Sequence, residues 1–326
     1  MLKDCYKIYS NEQILSTLTS MISSGRLSQS FLIFGTSGVG KKTLARYFSA
    51  KLLCENNSNS PCGECRSCKL IAQNSHPDVK IISTSEDSKA FSVEKLRHIV
   101  SDAHILPNDA DKKIYILADC DKMSQLAQNA LLKIIEEPPA HAYFIFTASS
   151  KAVFLPTILS RVISLGMNEV SNSECRLALL ENGVVDEEMI KNAIEAFNGN
   201  IGKCLEFIND KNLANAVEIS KSITDAMIST SEYSLLKAFS QLEGNKILTK
   251  AVITMLCAIV RDCCSIRLGN DILVGCYKKG SNQLASTITL SKADEIYRVL
   301  CEADSKIDGN ANLSLTLAYI CSQIKK

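Results

Sequence analysis

The stretch Phe31-Leu-Ile-Phe-Gly35-Thr-Ser-Gly38-Val-Gly40-Lys41-Lys42-Thr43 joins an apolar strand pattern, a glycine-rich turn and the start of a helical pattern. Glycines at such a turn let successive backbone N–H groups curl toward one anion. The helix N-terminus adds its dipole, and a lysine at the turn reaches terminal phosphates. In metal-dependent loops of this kind the residue after the lysine is Ser or Thr, whose hydroxyl holds magnesium. Here that residue is Lys42. Thr43 is no simple substitute, since one step along a helix turns a side chain by about 100°, and a second cation beside Lys41 repels a divalent metal. Gly35, Gly38, Gly40, Lys41, Lys42, Thr43 and Asp119 are thus expected to form a degenerate phosphate site. ATP or ADP is its conceivable ligand, and magnesium is not expected.

Asp119 belongs to a second chemical stretch, Lys113-Ile-Tyr-Ile-Leu117-Ala118-Asp119-Cys120-Asp121. Metal-assisted phosphoryl transfer needs an Asp in the metal shell, followed by a carboxylate that orients water. Ala118 offers nothing at the first place, and adjacent strand residues point to opposite faces. Asp119 and Asp121 also read as plain polar residues at a strand end.

A third stretch, Cys54-x7-Cys62-x2-Cys65-x2-Cys68, holds four of the fourteen cysteines. Fifteen residues would hold only about 0.6 by chance. Pro61, Gly63 and Glu64 suggest a tight turn on which thiolates converge, and four sulfurs suit a closed, structural zinc site. An iron–sulfur cluster is the rival, although its usual cysteine spacing is absent. His76, just before Pro77, fits the turn into the next strand better than a ligand set. The other ten cysteines read as small core residues.

These residues need a framework. Short apolar runs at Phe31–Phe34, Val79–Ser83, Ile114–Leu117, Tyr143–Thr147 and Val162–Leu165 alternate with helical patterns at Lys42–Leu53, Val93–His104 and Ser124–Glu137. Buried parallel strands with crossover helices produce this alternation. An α/β domain over residues 1–165 follows, with the cysteine insertion at 54–68. Beyond it only helices are expected: a small helical domain at 166–211, then a bundle at 212–326. At 326 residues, 46% hydrophobic and 22% charged, the chain has room for several cores. Its 36 basic and 35 acidic residues nearly cancel, so no global field attracts nucleic acid. The apolar run Ala251–Val260 is too short for a bilayer, which needs about 20 residues. The Met-Leu-Lys-Asp-Cys start shows no secretory core, and the many thiols suit a reducing, cytoplasmic setting.

Taken in order, these pieces resemble the bacterial clamp-loader subunits of DNA polymerase III, within the AAA+ ATPases. The resemblance rests on the cysteine insertion after the loop helix and on Asn129-Ala-Leu-Leu-Lys-Ile-Ile-Glu-Glu-Pro-Pro139. His76-Pro-Asp78, Leu159-Ser-Arg161 and Asn310-Ala-Asn-Leu-Ser-Leu add to it. It implies an AAA+ domain with a five-stranded parallel sheet and helices on both faces, then a helical lid and an all-α collar that binds sister subunits.

The ATP-hydrolysing gamma/tau branch carries Lys-Thr or Lys-Ser in the loop, Asp-Glu on the acidic strand and an arginine in the sensor helix. This chain has Lys41-Lys42, Ala118-Asp119 and Gly202, which resembles the delta-prime branch instead. Its length fits that branch, and no tau-like extension is expected. Arg161 in Ser160-Arg161-Val162 matches an arginine that the family presents to a neighbour's ATP. Without the resemblance it reads as a surface residue capping a strand. The implied partners are gamma/tau and delta subunits, the sliding clamp and, through the assembly, primer-template DNA; no membrane is implied. The alternative is an active gamma/tau-like ATPase using Lys41, Thr43 and Asp119.

Overall fold

Period-two burial decides where the sheet lies. The computed structural model describes residues 6–25, 27–56, 60–83, 91–229, 231–270 and 272–325. In it β1 (Ser30–Phe34), β2 (Val79–Ser83), β3 (Lys113–Ala118), β4 (Ala142–Ala148) and β5 (Ile163–Gly166) form one parallel sheet, ordered β2-β3-β4-β1-β5. Phe31, Ile33, Ile114, Ile116 and Ile145 share a core with Leu18 of α1 (Glu12–Ser23), Phe48 of α2 (Lys41–Leu53) and Ile71 of α3 (Arg66–Ala72). The alternate residues Leu32, Tyr115, Leu117, Phe144 and Phe146 face the other way. They join Leu96 of α4 (Val93–Ala103), Leu131 of α5 (Gln125–Glu136) and Ile158 of α6 (Pro156–Leu159). Each fully buried side chain of this size contributes roughly 1.5–3 kcal/mol relative to exposure.

The predicted strands are all present, each within one residue of its expected bounds. Three helices of this region escape the sequence pattern. α1 buries only Ile14 and Leu18 on a Ser/Thr-rich segment, α3 is a seven-residue helix opened by a cysteine, and α6 has only four residues.

Charge is also buried in this sheet. Lys113 is 2% exposed, and its Nζ lies 3.1 Å from the Asp102 carboxylate. Asp102 also accepts from Tyr115 Oη at 2.6 Å and Lys80 Nζ at 2.7 Å. Burial alone raises the Asp102 pKa, but the bonds from Lys80, Tyr115 and Lys113 outweigh it and hold the group at about 2. A depressed carboxylate adds stability above the ordinary range near 4, and that stability is lost as the pH falls toward 2.

The chain divides into two compact units, Met1–Val170 and Ser171–Lys326. The second holds α7 (Asn172–Glu181), α8 (Glu187–Phe197), α9 (Ile201–Asn209), α10 (Lys211–Ile228), α11 (Glu232–Ser240), α12 (Lys246–Arg267), α13 (Lys278–Thr287), α14 (Leu290–Asp308) and α15 (Leu313–Lys325). Among the described residues it has no strand. α7, α8 and α9 pack together, while α12 packs against α10, α13 and α14. Ile223, Leu256, Leu284, Leu300 and Ile320 lie in the bundle core. No described helix is long and apolar enough to cross a membrane.

Candidate functional site

In an open parallel sheet, ligands bind beyond the carboxyl ends of the strands, where the strand order reverses. β1, between β4 and β5, ends there at Phe34 and hands over to the glycine turn. Gly35, Gly38 and Gly40 have φ of +154°, +90° and +96°, backbone that favours glycine. At Gly35 space also matters, since a Cβ would lie 2.5 Å from the Met167 carbonyl oxygen. Gly40 caps α2, so the turn does deliver its backbone to a helix N-terminus.

The cations of this turn are already engaged. Lys41 Nζ donates to the Gly35 and Thr36 carbonyls at 2.7 and 2.9 Å. Burial lowers its pKa, against the attraction of Asp121 and Asp119. Lys42 Nζ lies 2.6 Å from Asp119 Oδ2, both side chains about half exposed. Asp119 does stand at the strand end, but the expectation that strand alternation sets its direction needs correction. β3 stops at Ala118, and Asp119 adopts left-handed backbone with φ +58°, so alternation no longer applies to it. Its N–H donates to Thr147 Oγ1 at 2.9 Å. Asp121 accepts from the Ser149 N–H at 2.8 Å and from the Ser149 hydroxyl. A seat for magnesium would need a hydroxyl after Lys41 and a carboxylate at the end of β3. Those positions hold a lysine and an alanine, and the next carboxylate is neutralised by that lysine.

At the far end of α2 the four predicted cysteines meet. Cys54 caps the C-terminus of α2, and Cys65 caps the N-terminus of α3. The Sγ atoms of Cys54, Cys62, Cys65 and Cys68 all lie within 4.8 Å of one another. Cys62 and Cys68 sulfurs are 3.9 Å apart. Tetrahedral zinc with bonds of about 2.3 Å sets its sulfurs about 3.8 Å apart, whereas a disulfide needs about 2.05 Å. Cys62 Sγ accepts the N–H groups of Glu64 and Cys65 at 3.4 and 3.3 Å, and Cys65 Sγ that of Cys68 at 3.4 Å. The Glu64 and Cys65 bonds bring the Cys62 thiol down to about 6, while burial pushes Cys68 up. The donor set fits a single soft divalent cation such as zinc and leaves no open position on it. Residues 57–59 of the predicted insertion lie outside the described residues.

Ion pairs and hydrogen bonds brace the cluster. Arg66 Nη2 meets Asp109 Oδ2 at 2.9 Å, and the Ser67 hydroxyl donates to Glu55 at 3.2 Å. His76 is buried in the turn, its Nδ1 accepting the Asp78 N–H at 3.1 Å, and takes no part in the cluster. The reading of the remaining ten cysteines as core residues holds for Cys120, Cys175, Cys204, Cys263, Cys276 and Cys321, and in part for Cys257 and Cys264, which are half-buried against the bundle core. It fails for exposed Cys301, and Cys5 lies outside the described residues.

Arg161 lies beyond the opposite ends of the strands. β1 pairs with β5 in the register Phe31↔Ile163 to Phe34↔Gly166. Gly35 follows the Phe34 end, and Arg161 precedes the Phe31 end. Three strand residues, about 10 Å, separate those ends. Arg161 Nη2 lies 2.8 Å from Glu136 Oε1, and Nη1 donates to Thr157 O at 2.9 Å and Ser160 Oγ at 3.2 Å.

The family described as DNA polymerase III, delta subunit, matches residues 10–171. The delta-prime subunit of Pseudomonas aeruginosa DNA polymerase III is 32% identical over 137 residues, 42% of each chain. A gamma subunit from Buchnera aphidicola is 27% identical over 260 residues, covering 77% of this chain and 71% of that one. The chain belongs to the DNA polymerase III clamp-loader family. A tau subunit from Salmonella typhimurium is 27% identical over 254 residues, 74% of this clamp-loader chain but only 39% of its own length.

Within this clamp-loader chain, two groupings foreseen from residue types appear, the glycine turn and the four thiols; Arg161, singled out by the resemblance alone, is held by Glu136, Thr157 and Ser160. The contacts of Lys42 with Asp119, of Arg161 with Glu136 and of Asp121 with Ser149 were not foreseen. Each joins residues 25 or more positions apart, and no local pattern announces such a pair. The weak signal available was charge, with Lys42 where a hydroxyl was wanted and an acid one residue late.

Proposed function

We propose that this chain is a delta-prime-like clamp-loader subunit that does not hydrolyse ATP itself and lends Arg161 to a neighbouring subunit's ATP. The observation that carries the reading is the Lys42–Asp119 ion pair at 2.6 Å, an ammonium set against the carboxylate nearest the place of a magnesium shell. The position of Arg161 supports the second half. An arginine beyond the opposite ends of the strands cannot serve this chain's own glycine turn, so a phosphate that it meets belongs to another molecule. A guanidinium fork neutralises charge on a transferring phosphoryl group, and a trans-acting arginine is worth on the order of 10³–10⁵ in rate in GTPases.

On this reading residues 1–165 are the AAA+ module, 166–211 a lid and 212–326 a collar. The collar joins gamma/tau and delta subunits in an assembly that opens the sliding clamp and sets it on primer-template DNA. Zinc at Cys54, Cys62, Cys65 and Cys68 is structural. Likeness to gamma and tau relatives over three quarters of the chain favours the second reading, an active ATPase.

The test is ATP turnover by a complex reconstituted with gamma/tau and delta subunits. Arg161→Ala is expected to lower turnover more than tenfold while the complex still assembles on a sizing column. Unchanged turnover would exclude the trans role.

A further inference from the structure

We propose that Glu136 is a positioning residue that aims the Arg161 guanidinium at the neighbour's phosphates. The proposal rests on the trans-acting reading of Arg161 and adds the residue that makes that arginine ready to act. Glu136 closes α5, and Arg161 stands two residues past α6. α6 has four residues, too few to hold a direction by its own hydrogen bonds, so the segment takes its orientation from what it rests on.

α5 supplies that support at two points. Gln128 donates to Val153 O at 2.9 Å and accepts the Leu155 N–H at 2.8 Å, ahead of α6. Eight residues later, about 12 Å along the helix, Glu136 takes Arg161 Nη2 behind it. The Thr157 carbonyl, left over at the end of α6, and the Ser160 hydroxyl take Nη1. These three bonds fix the guanidinium plane and leave Nε–H outside them. Nε–H and a remaining Nη2 hydrogen form one edge of the guanidinium, the kind that grips a phosphoryl group in bidentate fashion.

Stability does not explain the pair. The two side chains are 35% and 56% exposed, and ion pairs so exposed contribute little to folding. Pre-orientation does explain it. A free arginine samples many rotamers, and one fixed beforehand brings its charge to the reacting state without having to be ordered there.

The test uses the full reconstituted complex and measures kcat and KM for ATP, with the melting temperature of each subunit variant as a folding control. Glu136→Ala is expected to lower kcat about tenfold with KM unchanged. Glu136→Gln keeps an acceptor oxygen at the same reach and is expected to restore kcat to within about threefold. In an Arg161→Ala background Glu136→Ala should have no further effect, as required of a residue that acts through Arg161. If Arg161→Ala reduces turnover but Glu136→Ala leaves kcat unchanged, the positioning role is wrong and the trans arginine stands. A rise in kcat on Glu136→Ala would mark Glu136 as a restraint, which also overturns the proposal. No effect from Arg161→Ala would remove both.

Discussion

The two ends of α2 present opposite electrostatic problems. At its N-terminus the helix dipole and a glycine turn favour an anion; at its C-terminus the dipole favours a cation. Four sulfurs gather at the C-terminal end, within 4.8 Å of one another. At the N-terminal end both lysines are committed inside the chain, Lys41 to loop carbonyls and Lys42 to Asp119. The thiol cluster is also scaffold, because Cys54 ends α2 and Cys65 starts α3. Losing one thiol there loosens the fold. The glycine turn is needed for reasons apart from phosphate, since Gly35 lets the chain pass close to Met167. Packing by itself is therefore a reason for glycine at this position.

Substitutions at each end can break or sharpen this contrast. The largest effect is expected from Cys68→Ser. Structural zinc in small peptides carries an apparent binding free energy of about 10–16 kcal/mol. In a domain with its own core the loss should be several kcal/mol, lowering the first unfolding transition by roughly 10 °C. Calorimetry with metal analysis checks this, and one zinc per wild-type chain is expected. A variant that loses zinc without losing stability would end the idea of the cluster as scaffold.

Gly35→Ala comes next, at about 3 kcal/mol, combining backbone strain at φ +154° with the clash against Met167. Urea unfolding measures it, and wild-type stability would mean that packing is not what keeps this glycine. Lys42→Ala should matter least. Both partners of its ion pair are about half exposed, so the loss should stay within about 1 kcal/mol in a thermal melt. A loss several times larger would make Lys42 a structural strut rather than an occupant of the metal's place.

The layered α/β unit was legible because buried parallel strands leave runs such as Phe31–Phe34 and Tyr143–Thr147 between helical stripes. The thiol cluster was legible because its ligands crowd into 15 residues. The short α3 was hidden by the same cysteines, which read as a turn although Cys65 opens a helix. The engagement of Asp119 was hidden because it depends on the chain leaving β3 in left-handed backbone, a choice that alternation does not encode. Glu136 stood in the sequence only as one residue of the Asn129–Pro139 motif. Its contact with Arg161 exists because the fold brings the end of α5 beside the end of α6.

The central claim is that an internal ammonium stands in place of the divalent cation. Phosphate release from ATP by the purified full chain alone, with and without magnesium, tests it most directly. The expected result is no magnesium-dependent release in the wild type, indistinguishable from Lys41→Ala. Steady magnesium-dependent turnover that disappears in Lys41→Ala would contradict the account.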